Sequence, residues 1–518
     1  TGTINTTGDT SFLSRGAGAS SVNVGATITS TAGNVSLTAN TGGIAVGANI
    51  TAQDAVTLMA ATGVTFSGTR TITANSDTTD GDDLTITTTS GGVTGGTTTL
   101  TANGAGSDVV VNGGTGAVSL TTINAGGIAN VDAGTTATIG TLNAGTGLST
   151  VDAGGKATVG AGTVTGDLTV TSTLNDITMF GAEFSGGAVN GTLTLNGGAN
   201  SGALISGVTN AGSLSMTGSA ADVDVATTVT NGATITSTGT DVNDSGVVLA
   251  GNLSAGGLVD VNSASFVNVQ NGVTVTSTGD AIDIDAATGV SASGATLDAG
   301  PTHAVTVDTT GGAASVGTLL AGGNSNVTTG GGAATVTSAT VTSASTDPNL
   351  TVQGTNGATF GGGSVDGLLT VDGDTDFATT PGGAASISGA TTAGAVTARG
   401  ASVSNTGTIN TTGDTAFTAT GAGFDSSVAA NNAINVGAAI TSSAGNVTLT
   451  ANSGGIAVGA NITAQDAVTL MASTGVTFSG SRTITANSDM MDGDDLTITT
   501  TDGGVTGATT TTLTANGT

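Results

Sequence analysis

Clustered aspartates are the residues of this 518-residue sequence whose types and spacing could do chemistry. In the stretch NSDTTDGDDLT four carboxylates fall within seven residues, and the group recurs near the end of the sequence: Asp77, Asp80, Asp82 and Asp83, then Asp489, Asp492, Asp494 and Asp495. Because Ca²⁺ takes about six to eight oxygen ligands, one interpretation is a calcium site. The spacing matches neither the EF-hand loop nor the nonapeptide calcium repeat. The other interpretation is a solvated loop that keeps the protein soluble.

Smaller acidic groups occur at two further places: Asp280, Asp283 and Asp285, then Asp372, Asp374 and Asp376. Polar and apolar residues alternate around them, which places these carboxylates on an outward face of a strand. We therefore expect them to be solvated.

Catalysis needs a constellation of residues that this sequence does not assemble. Polysaccharide lyases and hydrolases use paired carboxylates with a base or a metal, together with Arg, Lys or aromatic residues that hold the sugar. The only histidine is His303, which we expect in a loop of DAGPTHAVT, and Lys156 is the only lysine. The four arginines are far apart in the sequence. The sequence thus predicts a protein that is not an enzyme and has no cofactor apart from the calcium considered above.

The charge and composition restrict the class of partner. The formal net charge is −30, so the clustered Lys and Arg that bind nucleic acid are missing, and no nucleic-acid partner is expected. The sequence has no run of 18 apolar residues, which argues against a transmembrane helix. Glycine accounts for 89 residues, and there is no Trp, Tyr or Cys, whereas a compact core of this size would normally contain large aromatic side chains.

A short period of about 21 residues organises the elements that would position these side chains. Val35 and Leu37 are echoed by Val56 and Leu58, while Ile44 is echoed by Val64. Each period contains three short alternating strands, with Gly, Asn or Asp between them where the chain must turn. Such a period, here about 20–25 residues, is typical of an all-β parallel β-solenoid.

A long period of roughly 400 residues is superimposed on the short one. TGTINTTGDT occurs at 1 and again at 406, and the stretches 33–95 and 445–507 differ at only seven positions. The second copy has about seven extra residues near GFDSSVAANNA. We therefore predict one module at 1–405 and the start of a near-identical module at 406–518, in a rod that is a fragment of a longer chain.

Threonines spaced two apart suggest another use of an outward face. TIT occurs at 27, 71, 85 and 234, and TVT at 274. Regular ranks of threonine on a flat face could order water, as in ice-binding solenoids, whereas β-propensity alone also favours outward threonines. Because the coil length varies and loops intrude, we expect such ranks to be interrupted.

The phrases GNVSLTAN, GGIAVGANITA and DAVTLMA resemble the repeats of filamentous-haemagglutinin-like exoproteins, most clearly over 31–122 and 443–516. These are large, secreted, repetitive proteins of bacterial surfaces. The resemblance implies a right-handed parallel β-helix, export across an outer membrane, and a role in adhesion, biofilm or surface fibres.

The sequence thus favours a structural protein that forms an extracellular fibre on or around a bacterial cell. Its expected partners are further copies of itself, joined head-to-tail or laterally, and a host or neighbouring cell surface or its glycans. The alternative is the stalk of a large adhesin whose binding tip lies outside this sequence.

Overall fold

The computed structural model describes residues 2–16, 21–79, 81–240, 245–373, 382–421, 432–491, 493–508 and 510–516. Its regular elements are strands, numbered β1 to β57 in chain order, and no helix occurs among these residues. Contacts divide the chain into two compact units: one consists of Thr1–Ala255 with Asn262–Ser265, and the other of Gly256–Val261 with Phe266–Thr518. This division does not test the sequence modules 1–405 and 406–518, which stay a prediction.

The first unit contains strands β1 to β29, most of which are short. In order they are Ile4–Thr6, Thr10–Ser14, Val22–Val24, Ile28–Ser30, Val35–Ala39, Ile44–Val46, Ile50–Ala52, Val56–Ala60, Val64–Phe66, Arg70–Ala74, Leu84–Thr88, Val93–Gly95, Thr98–Ala102, Val109–Asn112, Val118–Ala125, Ala129–Ala133, Ala137–Ala144, Leu148–Ala153, Ala157–Val164, Asp167–Ser172, Asn175–Phe184, Gly187–Asn196, Asn200–Ile205, Thr209–Gly218, Ala221–Val223, Thr227–Val229, Ala233–Ser237, Gly246–Leu249 and Leu253–Ala255.

Strand β30, Val259–Ser263, has residues of both units, and β31 to β57 belong to the second. The latter are Phe266–Val269, Thr274–Ser277, Ile282–Ala286, Gly289–Asp298, Val305–Thr309, Ala314–Ala321, Ser325–Thr329, Ala334–Val341, Leu350–Gly354, Ala358–Phe360, Gly363–Asp372, Ala385–Ile387, Thr391–Gly400, Val403–Asn405, Ile409–Thr411, Thr415–Ala419, Asn432–Val436, Ile440–Ser442, Val447–Ala451, Gly455–Val458, Ile462–Ala464, Val468–Ala472, Gly475–Phe478, Thr483–Ala486, Leu496–Thr500, Val505–Gly507 and Thr512–Ala515.

Alternating apolar residues form these strands because one side of each strand is buried. In β5 the side chains of Val35, Leu37 and Ala39 are buried, while the two residues between them are partly exposed. Val, Ile, Leu and Thr favour the extended backbone, and inward-pointing side chains at every second position fill a narrow interior.

Successive turns pair in parallel and in register, as the short period predicts. β5 pairs with β8, which aligns Val35 with Val56 and Leu37 with Leu58, and β8 pairs with β11, which aligns Leu58 with Ile86. Three strands recur per turn, so each turn has three faces. The chain is a parallel β-solenoid of about 21 turns, which confirms the predicted fold class.

The three faces are named here by their strands in the first turns. The long-strand face contains β2, β5, β8 and β11; the short face contains β3, β6, β9 and β12; the threonine face contains β4, β7, β10 and β13. Further along, the strands of the short and threonine faces join without a break. In β15, Val118 aligns with Val93 on the short face and Ile123 aligns with Leu100 on the threonine face. The expectation of three short strands per coil thus holds only where these strands stay separate.

The interior is a stack of small and medium apolar side chains. Leu37, Leu58 and Ile86 have no exposed surface, and the larger Phe184 and Phe360 are fully buried as well. In the second unit, β49 pairs with β52 and aligns Val447 with Val468, as Val35 aligns with Val56 in the first. Near-identical sequence therefore builds the same turn twice.

Candidate functional site

The acidic loop after β10 is shaped by residues with left-handed backbone and by hydrogen bonds to its aspartates. Asn75 and Thr78 have φ of 49° and 63°, and the buried Asn75 donates from Nδ2 to Ser107 Oγ at 2.8 Å. Asp77 Oδ1 accepts from the backbone N of Thr79 at 3.2 Å, and its Oδ2 accepts from Gln53 Nε2 at 2.6 Å. The hydrogen bond from the backbone of Thr79 is the main cause that lowers the pKa of Asp77.

Asp83, in the same loop, binds the backbone of the next turn. Its Oδ1 accepts from the backbone N of Asp108 at 2.8 Å. Asp82 is partly exposed, and Asp80 lies outside the described residues. The predicted calcium ligands Asp77 and Asp83 thus accept hydrogen bonds from the protein itself.

The acidic loop of the second copy repeats this geometry. Gln465 Nε2 donates to Asp489 Oδ2 at 2.7 Å, and the backbone N of Met491 donates to Asp489 Oδ1 at 3.1 Å. Asp494 and Asp495 precede β55, and Asp492 lies outside the described residues. Within the described ranges, no group of three or more His, Asp or Glu side chains is arranged to hold a metal ion. Since each loop includes one aspartate outside these ranges, the calcium site stays a prediction.

Asp and Asn side chains form a hydrogen-bonded column at the corner before the long-strand face, which we name the corner ladder. Asp9 Oδ1 accepts from the backbone N of Asn34, and Asn34 Oδ1 accepts from the backbone N of Ala55 at 3.1 Å. Higher in the same unit, Asp108 Oδ1 accepts from the backbone N of Ile128 at 2.8 Å. The side-chain oxygens satisfy N–H groups of the next turn at a corner.

The corner ladder recurs in the second unit. Asn349 donates its backbone N to Asn324 Oδ1 at 2.9 Å, and Asn349 Oδ1 accepts from the backbone N of Leu368 at 2.7 Å. Asp414 and Asn446 repeat the pair formed by Asp9 and Asn34, with distances of 2.8 and 3.1 Å from Asp414 Oδ1 to the backbone N and Nδ2 of Asn446. Sequence reasoning missed this ladder because it expected the Asn and Asp residues between strands to turn the chain and gave them no partner in the next turn.

A like-charged patch lies on the long-strand face of the second unit, outward as expected. Asp285 aligns with Asp308 of the next turn, and Asp283 is two residues away on the same strand. Burial raises the pKa of Asp283 and Asp285, and the neighbouring carboxylates, including Asp260, raise the two pKa values further. Asp308 also accepts a hydrogen bond from Thr328 Oγ1. Asp280, at the corner before this strand, is exposed.

Asp372 departs from the expected solvation. It is only 6% exposed, and Arg399 of the next turn binds both of its oxygens, with Nε to Oδ1 at 3.1 Å and Nη2 to Oδ2 at 2.5 Å. This bidentate partner takes the place of water around the buried carboxylate. Asp374 and Asp376 lie outside the described residues.

The residues considered for catalysis do not come together. His303 lies in the loop before β35, where its carbonyl accepts from the backbone N of Gly322 and Gly323 at 3.1 and 2.9 Å. Lys156 Nζ lies 2.6 Å from Glu183 Oε2, and Ser206 Oγ donates to Glu183 Oε1 at 2.9 Å. This arrangement ties three adjacent turns together. The absence of enzymatic activity stays a prediction.

The threonine face carries two outward ranks in the first unit, one aligned over four turns and the other over six. In the first rank Thr71, Thr99, Thr122 and Thr141 are aligned. The second rank contains Thr29, Thr51, Thr73, Thr101, Asn124 and Asn143. Over these turns the strand register is not interrupted, because the extra residues of longer turns lie in the corners, but asparagine replaces threonine at the last two positions of the second rank.

Comparisons with protein-family models, with curated proteins and with solved structures find no match for this chain. The fold and its ladders define a repetitive β-solenoid, and the resemblance to filamentous-haemagglutinin-like exoproteins stays a prediction. None of the described segments is a helix long and apolar enough to cross a membrane.

Proposed function

We propose that this chain is a structural protein that forms an elongated, repetitive fibre outside a bacterial cell. The observation that carries the proposal is the equivalence of distant turns: Asp9 with Asn34 and Asp414 with Asn446 form the same hydrogen bonds. Asn446 follows Asn34 by 412 positions (446 − 34). A scaffold needs the same turn built many times, whereas a catalyst or receptor needs one distinct site.

Several properties support an extracellular scaffold. The turns are held together by backbone pairing with their neighbours, so stability grows by adding turns. A net charge of −30 keeps a large, otherwise weakly charged surface soluble. The resemblance to secreted exoproteins favours the bacterial surface as its location. Homotypic association, head-to-tail or lateral, would thicken or lengthen the fibre.

Electron microscopy of the native material tests the proposal. A module of roughly 400 residues, in turns of about 20–25 residues that each rise about 4.8 Å, predicts an axial repeat of roughly 90 Å. Bundled filaments with this repeat are the expected result. Isolated rods that project from a cell envelope would contradict the fibre and support the adhesin stalk instead.

A further inference from the structure

The hydroxyl groups of the threonine face are left available by the protein itself. In the part of the chain that the structure describes, the hydroxyls of Thr51, Thr73 and Thr99 make no hydrogen bond, although their side chains are partly exposed. Hydroxyls at the ends of strands behave differently: Ser30 Oγ donates to Gly8 O at 2.8 Å, and Thr88 Oγ1 donates to Gly91 O at 2.6 Å. The threonine hydroxyls of the ranks thus offer unused donors and acceptors to whatever lies above them, whereas Asn124 and Asn143 are hydrogen-bonded to each other.

The spacing of these hydroxyls is fixed in two directions by the backbone. Neighbouring turns place aligned residues about 4.8 Å apart, and residues two apart on one strand are about 6.6 Å apart. No register shift occurs from Thr29 through Thr51, Thr73 and Thr101 to Asn124. Because threonine has few allowed χ1 rotamers, its methyl and hydroxyl groups take up few positions. The face therefore presents a rectangular lattice of hydroxyl and amide groups.

The two ranks of the threonine face carry neither charged nor large side chains over the four and six turns that they cover, in a chain with a net charge of −30. Their outward positions hold only threonine and asparagine: Thr29, Thr51, Thr71, Thr73, Thr99, Thr101, Thr122, Asn124, Thr141 and Asn143. The long-strand face is less regular, because Met59 is 47% exposed there and Asp132 lies outward in the same rank as Asn112.

We propose that the threonine face binds ice, a function separate from the fibre. The oxygens of hexagonal ice repeat on a prism face at distances comparable to the two spacings of these ranks, so ordered water on the hydroxyls can join the crystal. A sugar polymer fits less well because the ranks contain no aromatic or arginine side chain to stack on its rings.

The second copy retains this surface. Thr463 aligns with Thr441 and Thr485, and Thr485 aligns with Thr514. The seven substitutions between 33–95 and 445–507 all fall outside the positions of the two ranks. A chain with several modules would present the ice-binding face repeatedly, which raises its effective affinity for a crystal.

Thermal hysteresis and inhibition of ice recrystallisation by the 518-residue protein test the proposal. Thr73→Lys places a long charged side chain in the middle of the ranks, and Thr51→Lys does so one turn away. Thr65→Lys is the matched control, since Thr65 is exposed on the short face of the same turn as Thr73. Circular dichroism on heating establishes that all variants fold.

The unchanged protein and Thr65→Lys are expected to slow ice growth, while Thr73→Lys and Thr51→Lys lose this activity with unchanged unfolding curves. An unchanged protein that neither shapes ice nor shows hysteresis would overturn the proposal. Equal loss in Thr65→Lys and Thr73→Lys would also overturn it, since the effect would then not belong to this face. Filaments can still form in either case, so the two proposals fail independently.

Discussion

A single oxygen of Asp9, Oδ1, accepts hydrogen bonds from both the backbone N and the side-chain Nδ2 of Asn34 in the next turn, at 2.9 and 3.1 Å. The hydrogen bond from the backbone of Asn34 is the main cause that lowers the pKa of Asp9. Asn34 then accepts from the backbone N of Ala55, so that three turns are joined at one corner. Side chains thus continue at the corner the interturn bonding that the strands provide along each face.

Removing one member of the corner ladder should loosen the neighbouring turn locally. Asn34→Ala leaves the backbone N of Ala55 without its acceptor at 3.1 Å. A typical hydrogen bond contributes about 1 kcal/mol, so we expect amide exchange near Ala55 to accelerate roughly fivefold. Hydrogen exchange read by mass spectrometry measures this. Asn23→Ala, on an exposed outward position of β3, is the control, and unchanged exchange near Ala55 would contradict a role for the ladder.

Leu58 and Met59 are neighbours on β8, but the side chain of Leu58 lies in the interior and that of Met59 on the surface. Leu58 has no exposed surface and stacks between Leu37 and Ile86, whereas Met59 is 47% exposed. We expect Leu58→Ala to cost about 2–5 kcal/mol and Met59→Ala to change stability by less than about 0.5 kcal/mol. Thermal unfolding and limited proteolysis of both variants check this. Similar effects of the two changes would be incompatible with the observed register.

Asp372 and Arg399 form the ion pair with the most buried carboxylate described. Arg399→Leu leaves a carboxylate that is 6% exposed without its bidentate partner, and the expected cost is about 3–5 kcal/mol. The double variant Asp372→Leu with Arg399→Leu removes the buried charge as well and should recover much of that loss. Urea unfolding of the two variants provides the comparison; a double variant less stable than Arg399→Leu would disprove this explanation.

Asp222 should make the protein less stable as the pH rises. Burial is the main cause that raises the pKa of Asp222 from 3.8 to about 7, and the nearby Asp224 adds to it. Because the folded state holds the proton more tightly, the stabilisation is complete below pH 3.8 and is lost as the pH rises to about 7. Melting temperatures of the protein and of Asp222→Asn between pH 4 and 8 measure the effect. Asp222→Asn should remove this part of the pH dependence; an unchanged slope would contradict it.

The strands and their register were predictable because they follow from local alternation. Val35 and Leu37 stand over Val56 and Leu58 as the 21-residue period predicts, and Ile139 aligns with Val159. A shift of the register by one residue would expose every buried apolar side chain of the strand and bury its polar ones. The apolar pattern therefore determines the register without knowledge of the rest of the chain.

The corners were not predictable, because they depend on which turn lies next. Asn40, Asn75 and Asn103 follow similar phrases in the sequence, yet Asn40 follows a strand of the long-strand face while the other two follow strands of the threonine face. The corner ladder and the aligned ranks of the threonine face likewise depend on how neighbouring turns stack, so they cannot be found in the sequence of a single turn. The calcium prediction, in contrast, is not tested, because each acidic loop includes an aspartate outside the described residues, Asp80 or Asp492.

The corner ladder also accommodates unequal turns. Asn34 follows Asp9 by 25 residues, whereas Asn446 follows Asp414 by 32, yet both pairs have the same geometry. Turns of unequal length thus keep the same pairing with the turns above and below. Genetic crossover between matching copies would consequently give proteins that differ by whole modules and still fold. Evolution can therefore change the length of this protein without changing its fold.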